Sequence, residues 1–346
     1  MIKILSKKKN TITHREKTQS KTNTFKIVLS LTICLVVALM IVNPKLCIES
    51  VYNGLSVWAT CVLPSLLPFM FFTKILTDLN VVSKISKKCS KLTRFLFNAP
   101  SISAYVFFMS LISGYPVGAK LISEFYEAKL LTEKQANKLT TFCSTSGPLF
   151  IIGSVGTAMF LDQKLGYIMF ISHVVASVIN GIIYRNSYKE NYESDFENNE
   201  TSLANTLPNS MSSSVSNVMI VGGYIAIAFM IIDLANALNL FAPINAVVCF
   251  LIKPLGLGMD TAKAITSGLI EISKGCNMLS VIDMPKSLLA TIASFVISFG
   301  GFSVFFQSIT FLSKCKVNLK FYLLQKLTHG VISAVLTFLI YFIMWI

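Results

Sequence analysis

Apolar positions along the chain fall into runs separated by short polar breaks, and the runs predict helices from one end to the other. The run over 25–43 ends in Asn43-Pro44-Lys45-Leu46-Cys47, which lacks the small-residue pattern of a cleavage site, so an uncleaved first spanning helix is expected. The second run, 52–77, holds Pro64 and Pro68, residues that free backbone carbonyls and kink a helix. The third, 101–122, gives way to SGYPVGAK, where Gly114, Pro116 and Gly118 interrupt it. An amphipathic stretch, 123–142, follows, with Thr132 and Gln135 spaced as a capping box. Residues 144–160 read as a Ser/Thr cluster, a Gly-Pro break and a short apolar helix, and 164–184 is long enough to cross a bilayer. Apolar segments recur at 214–237, 242–257, 262–282, 287–312 and 327–346. Those at 102–121, 144–160, 262–282 and 290–308 are short or glycine-broken and are candidates for re-entrant hairpins.

The breaks follow an offset. Ser113-Gly114 and Ser267-Gly268 stand 154 positions apart, as do Lys120 and Lys274, Gly147 and Gly301, and Ser154 and Ser308. Chance is the competing explanation, because glycine and serine are common in membrane helices. Interrupted helices at corresponding places in two halves are, however, the pattern of a transporter binding site. The expected organisation is a basic tail (1–26), a first transmembrane helix and loop (27–50), a first half (51–184), an acidic polar linker (185–210), a second half (211–312), and a basic loop with a C-terminal helix (313–346). The fold class is all-α: a polytopic membrane protein with broken helices and re-entrant hairpins in two related halves.

Composition agrees. Only 13% of the 346 residues are charged and 53% are hydrophobic, against roughly 25% charged in soluble domains. The net charge of +14 raises the question of nucleic acid. Residues 1–26 hold eight Lys/Arg against one Glu, and 74–94 hold six against one Asp, each stretch abutting an apolar segment. That placement fits cytoplasmic loops beside anionic lipid, with the N-terminus inside, and Lys314, Lys316, Lys320 and Lys326 suggest another such loop. No aromatic-and-basic groove accompanies the charge, so no nucleic-acid partner is expected. The eight cysteines form no CxxC pair and are expected to be small buried hydrophobes, with no metal site and no cofactor.

The segments WATCVLPSLLPFMFF, SGYPVGAKLISEFYEAKLLTEKQANKL, FCSTSGPLFIIGSVGTAMF and ISFGGFSVFFQS resemble the sporulation integral membrane protein YlbJ family of the nucleoside-recognition, or Gate, domain group. The resemblance covers roughly residues 50–310. It implies the helix-hairpin architecture of concentrative nucleoside transporters. It also implies a place in the cell membrane of a sporulating bacterium, derived from the mother cell, and movement of dipicolinate toward the forespore. One departure stands out: CSTSGP lies where the family pattern has an Asn-containing stretch, which puts the finer substrate contacts in doubt.

Dipicolinate is a dianion at neutral pH. A helix that begins inside the membrane offers it free amides and a positive dipole end. Ser144, Thr145, Ser146 and Gly147 precede such a beginning, with Pro148 at the first helical position; Gly300, Gly301 and Ser303 are the counterparts in the second half. Close packing of helices through small residues is the other explanation of these positions. Ser113, Gly114, Tyr115 and Gln307 are further candidate contacts. Lys120 and Lys274 lie just past the first break of each half, where they either meet the substrate or snorkel to the interface. Glu271, three residues before Lys274, either couples a sodium ion or proton or neutralises that lysine, and Asp233 is a second intramembrane acid. His173, alone on an apolar helix, is expected to be a packing residue.

The leading expectation is a transporter or facilitator of a small organic anion, with a nucleoside-type solute as the alternative. A non-transporting scaffold for spore assembly, with sporulation membrane partners or a second copy of the chain, is a third reading. A hydrolase using Ser146 or Ser113 with His173 has no GxSxG or HExxH pattern behind it, so no enzymatic activity is expected.

Overall fold

The computed structural model describes residues 26–79, 81–188 and 203–344. Every regular element among them is helical. They form two compact units, divided between Glu49 and Ser50. The first unit contains α1 (Lys26–Val42), whose large apolar side chains, such as Ile27, Leu31 and Leu35, are exposed. The expected loop after α1 is a single bend at Asn43, because α2 (Pro44–Val57) starts at the proline, a residue suited to a helix's first turn.

In the second unit α2 passes through a π-helical turn (Trp58–Val62) into α3 (Leu63–Asp78), which accommodates Pro68 in its interior. The basic stretch 74–94, expected to form a cytoplasmic loop, instead belongs largely to α4 (Val81–Phe97): Lys84, Lys87, Lys88 and Lys91 are exposed, while Ser86, Thr93 and Phe97 are buried, the periodicity of an amphipathic helix. Next come α5 (Ser103–Ser113), α6 (Val117–Glu127) and α7 (Glu133–Leu139), the last opened by the Thr132/Gln135 capping box. A π-helix (Leu149–Met159) and α8 (Gln163–Ile183) complete this stretch, Asp162 capping α8 through the amides of Lys164 and Leu165.

Most of the expected linker lies outside the described residues, but its end does not. The long helix α9 (Leu203–Ala237) takes up residues 203–210. It is followed by α10 (Ala242–Ile252), α11 (Met259–Ile270), α12 (Ile272–Ser280), α13 (Lys286–Phe299), α14 (Gly301–Leu312) and α15 (Leu319–Met344). Among the described residues four helical stretches are long and apolar enough to cross a membrane: Gln163–Ile183, Leu207–Ala237, Lys286–Cys315 and Leu319–Met344. Their outer faces are apolar, as in Ile227, Phe306 and Leu339, and such exposed side chains suit hydrocarbon, not water.

The core has two parts. One gathers α3, α5, α6 and α9 around Tyr105, Val106, Ile122 and Phe229. The other gathers the π-helix, α8, α12 and α13 around Ile151, Leu165, Cys276 and Val296. The helix interruptions lie where the two parts meet.

Candidate functional site

Four interruptions build the site. Between α5 and α6 the chain turns at Gly114, with φ 79° and ψ −171°, and the following Tyr115–Pro116 peptide is cis. Glycine is required there twice over, by the positive φ and because a Cβ would lie 2.6 Å from the amide nitrogen of Gly147. The second interruption is the unwound stretch 144–147 before the π-helix. The Thr145 amide donates to Ser110 Oγ (3.3 Å) and the Ser146 amide to His173 Nε2 (2.9 Å).

The third interruption falls at Glu271, which is extended (φ −140°, ψ 120°) between α11 and α12. Its carboxylate caps α12 by accepting the Lys274 amide (2.9 Å). The expected break at Ser267-Gly268 is therefore three residues early. Gly268 stays helical and lets α12 approach, a Cβ on Gly275 being only 2.3 Å from the Cα of Gly268. The fourth interruption, between α13 and α14, has Gly300 at φ 91° and Gly301 at φ 66°. A Cβ on Gly301 would meet the Gly268 carbonyl at 3.0 Å. Gly114 thus touches Gly147, and Gly268 touches Gly301: the two pairs related by the 154-residue offset make the same contact.

A hollow lies between these interruptions, about 550 Å³ of atom-free space that includes open solvent at its mouth. Its polar lining comes from Ser113, Tyr115, Ser146, Glu271, Ser273 and Gln307, together with the backbone at Gly114 and Gly147. Val62, Leu66 and Phe69 of the α3 region and Val221 and Ile225 of α9 form its apolar wall. The first amides of a helix have no partner within it, so the start of the π-helix beside Gly147, Leu149 and Phe150 presents donors to this space. Among the described residues Glu271 is the one carboxylate in the lining, and no lysine or arginine belongs to it.

Seven of the expected site residues therefore share the hollow: Ser113, Gly114, Tyr115, Ser146, Gly147, Gln307 and Glu271. Ser303 stands behind Gln307, accepting from its Nε2 at 3.2 Å. Ser144 pairs with Tyr322 Oη (2.7 Å) and Thr145 with Ser110 Oγ (2.8 Å), both outside the lining. Gly300 and Gly301 shape the fourth break from behind. The lysines are directed elsewhere. Lys120 donates to Ser213 Oγ (2.9 Å) and lies 3.8 Å from Glu124. Lys274 reaches Asp233 at 2.5 Å and sits over the Phe229 ring. Asp233, which also accepts from Ser50 Oγ (2.7 Å), is held by Lys274, whereas Glu271 accepts the Lys274 amide and Ser273 Oγ (3.4 Å) and borders the hollow.

Two groups have partners that the sequence did not suggest. His173 is more than packing: besides accepting the Ser146 amide it bonds Ser298 Oγ through Nδ1 (2.6 Å) and thereby joins the second and fourth breaks. Lys326, expected in a basic loop, lies instead in α15, which begins at Leu319 and buries it. The legible signal was the spacing of Tyr322, Gln325, Lys326, His329, Ser333 and Thr337, a polar stripe on one face of an otherwise apolar helix, and all six are buried.

A family model described as "Gate: Nucleoside recognition" matches residues 59–161, the portion holding the first two interruptions. Among curated proteins, the chain is 27% identical over 331 residues to the sporulation integral membrane protein YlbJ of Bacillus subtilis (strain 168), covering 88% of this chain and 80% of that one. Among solved structures, an outward-facing structure of a substituted CNTnw aligns over 90% of this chain and 85% of its own, with 13% identity and a TM-score of 0.48. The expected likeness to the sporulation membrane protein is thus found among curated proteins and that to the Gate group in the family model, and the chain is an integral membrane protein.

Proposed function

We propose that the chain carries a small organic solute across a membrane and that the solute binds in the hollow where the four interruptions meet. The observation behind this reading is the convergence itself. Interrupted backbone at membrane depth is tolerated where it lines a cavity, and here each of the breaks in the first half, together with Glu271, contributes to one space. A scaffold has no need of such a space.

By its likeness to the sporulation protein, the solute we propose is dipicolinate, moved toward the forespore from a mother-cell-derived membrane. The amides at the start of the π-helix are the group suited to a carboxylate. Glu271 would repel a dianion unless a cation stands between them, so we assign Glu271 the coupling sodium ion or proton. A nucleoside is the second reading. It is favoured by the absence of a lysine or arginine from the lining among the described residues and by a wall of Val62, Leu66 and Phe69 against the neutral donors and acceptors of Ser113 and Gln307.

Calorimetric titration of the purified protein with dipicolinate, uridine and a simple dicarboxylate separates the readings. Saturable dipicolinate binding that Gln307→Ala weakens at least tenfold, a loss typical of a buried hydrogen bond to charge, is the expected result. Binding of uridine alone would establish the second reading. Failure of all three ligands to bind folded protein would count against the carrier.

A further inference from the structure

Lys326 is a buried lysine whose polar partners are not acids. It is 4% exposed and lies about 10 Å along α15 from the helix start, at 1.5 Å per residue. Its Nζ donates to Tyr115 Oη (2.5 Å) and to the Ser144 carbonyl (2.9 Å), and stands 4.4 Å from the centre of the Tyr115 ring. Tyr115 Oη in turn donates toward the Ile297 and Ser298 carbonyls, both at 3.3 Å, which belong to the last turn of α13 before the Gly300 break. The Lys326 stem passes Gly300 closely, its Cε 3.4 Å from where a Cβ would stand. Among the described residues no carboxylate stands within ion-pair distance of Lys326.

An ammonium taken out of water without a carboxylate costs several kcal/mol unless other oxygens replace its hydration. The oxygens present are those that unwound backbone and helix C-terminal ends use to hold monovalent cations in transporters: a carbonyl of the second break, the hydroxyl of the first, and through it the negative end of α13 at the fourth. We propose that Lys326 is a tethered cation: its ammonium permanently fills, at the junction of the first, second and fourth interruptions, a place whose oxygens would otherwise take a free monovalent cation. Lys326 is in this sense a positioning residue, holding the breaks in register so that the hollow keeps its shape whether or not any ion is bound at Glu271. The assignment does not depend on which solute the hollow takes.

The consequence is testable by removing the tether. Thermal unfolding of the purified full chain is followed in detergent at fixed ionic strength, with chloride salts of N-methylglucamine, sodium or ethylammonium. Lys326→Ala should unfold about 5 °C or more below wild type in N-methylglucamine, the order expected when a buried charge network is broken in a protein of this size. Sodium or ethylammonium should then restore at least half of that loss, saturably and in excess of any effect on wild type. Lys326→Arg, which keeps a cation, should need no added ion. Lys326→Gln serves as the neutral variant should the alanine protein not fold, and it should show the same excess response. Absence of any excess cation response in Ala or Gln variants would overturn the tethered-cation role and leave Lys326 a packing residue. Because the readout is stability without solute, that failure would leave the carrier reading standing, and failure of solute binding would leave this one standing.

Discussion

Gly114→Ala should cost the protein both its folding midpoint and its solute site. The backbone at this position, φ 79° and ψ −171°, lies in a region open essentially to glycine, and occupying it with another residue costs of order 1–3 kcal/mol. The new Cβ would also lie 2.6 Å from the Gly147 nitrogen and 3.2 Å from its Cα. Both are backbone atoms, so the second interruption has to move, and overpacking of this kind adds about another 1–3 kcal/mol. The total, roughly 4 kcal/mol, is large beside ordinary substitutions, and the displacement falls on two walls of the hollow. Gly153→Ala is the matched control, since a Cβ there meets nothing within 4 Å, and it should leave stability unchanged or raise it by up to about 1 kcal/mol. Thermal unfolding and calorimetric binding on the two variants check this. Equal behaviour of both would mean that the contact between the first two breaks is not what shapes the site.

Glu271→Gln should separate binding from coupling. The amide oxygen of glutamine still accepts the Lys274 backbone N–H, so the cap of α12 remains, but the one carboxylate facing the hollow is gone. In liposomes the variant should keep solute exchange within about threefold of wild type and lose gradient-driven accumulation at least tenfold, the scale of a single charge interaction of about 1.4 kcal/mol or more. If Glu271 served only as a helix cap, accumulation would be unchanged. Asp233→Asn makes a useful contrast, because it strands Lys274, partly buried, without its acid and should lower stability first.

The helices were largely legible in the sequence because local chemistry specifies them. The Thr132/Gln135 capping box and the Gly-Pro break before the π-helix appear where their residues predict. Helix α8 spans Gln163–Ile183 against an expected 164–184. Local chemistry also misled. The lysines of 84–91 suggested a loop, yet their spacing is that of one helix face. Glycine suggested the third break, but Gly268 serves helix contact and a carboxylate, Glu271, opens the next helix. The partners of the charged side chains were the least legible. Lys120 and Lys274 occupy equivalent places in the chain, yet each is claimed by a partner more than forty residues away in sequence, Ser213 for one and Asp233 for the other. Lys326 looked like the flank of a helix because its partners are a carbonyl and a phenol, groups with no sequence signature.

The most direct test of a solute site at the meeting of the interruptions is an electron cryo-microscopy map of the protein with dipicolinate or uridine bound. Solute density bounded by Ser113, Ser146, Glu271 and Gln307 is the predicted result. Density confined to another part of the molecule, with that space filled by side chains, would contradict it.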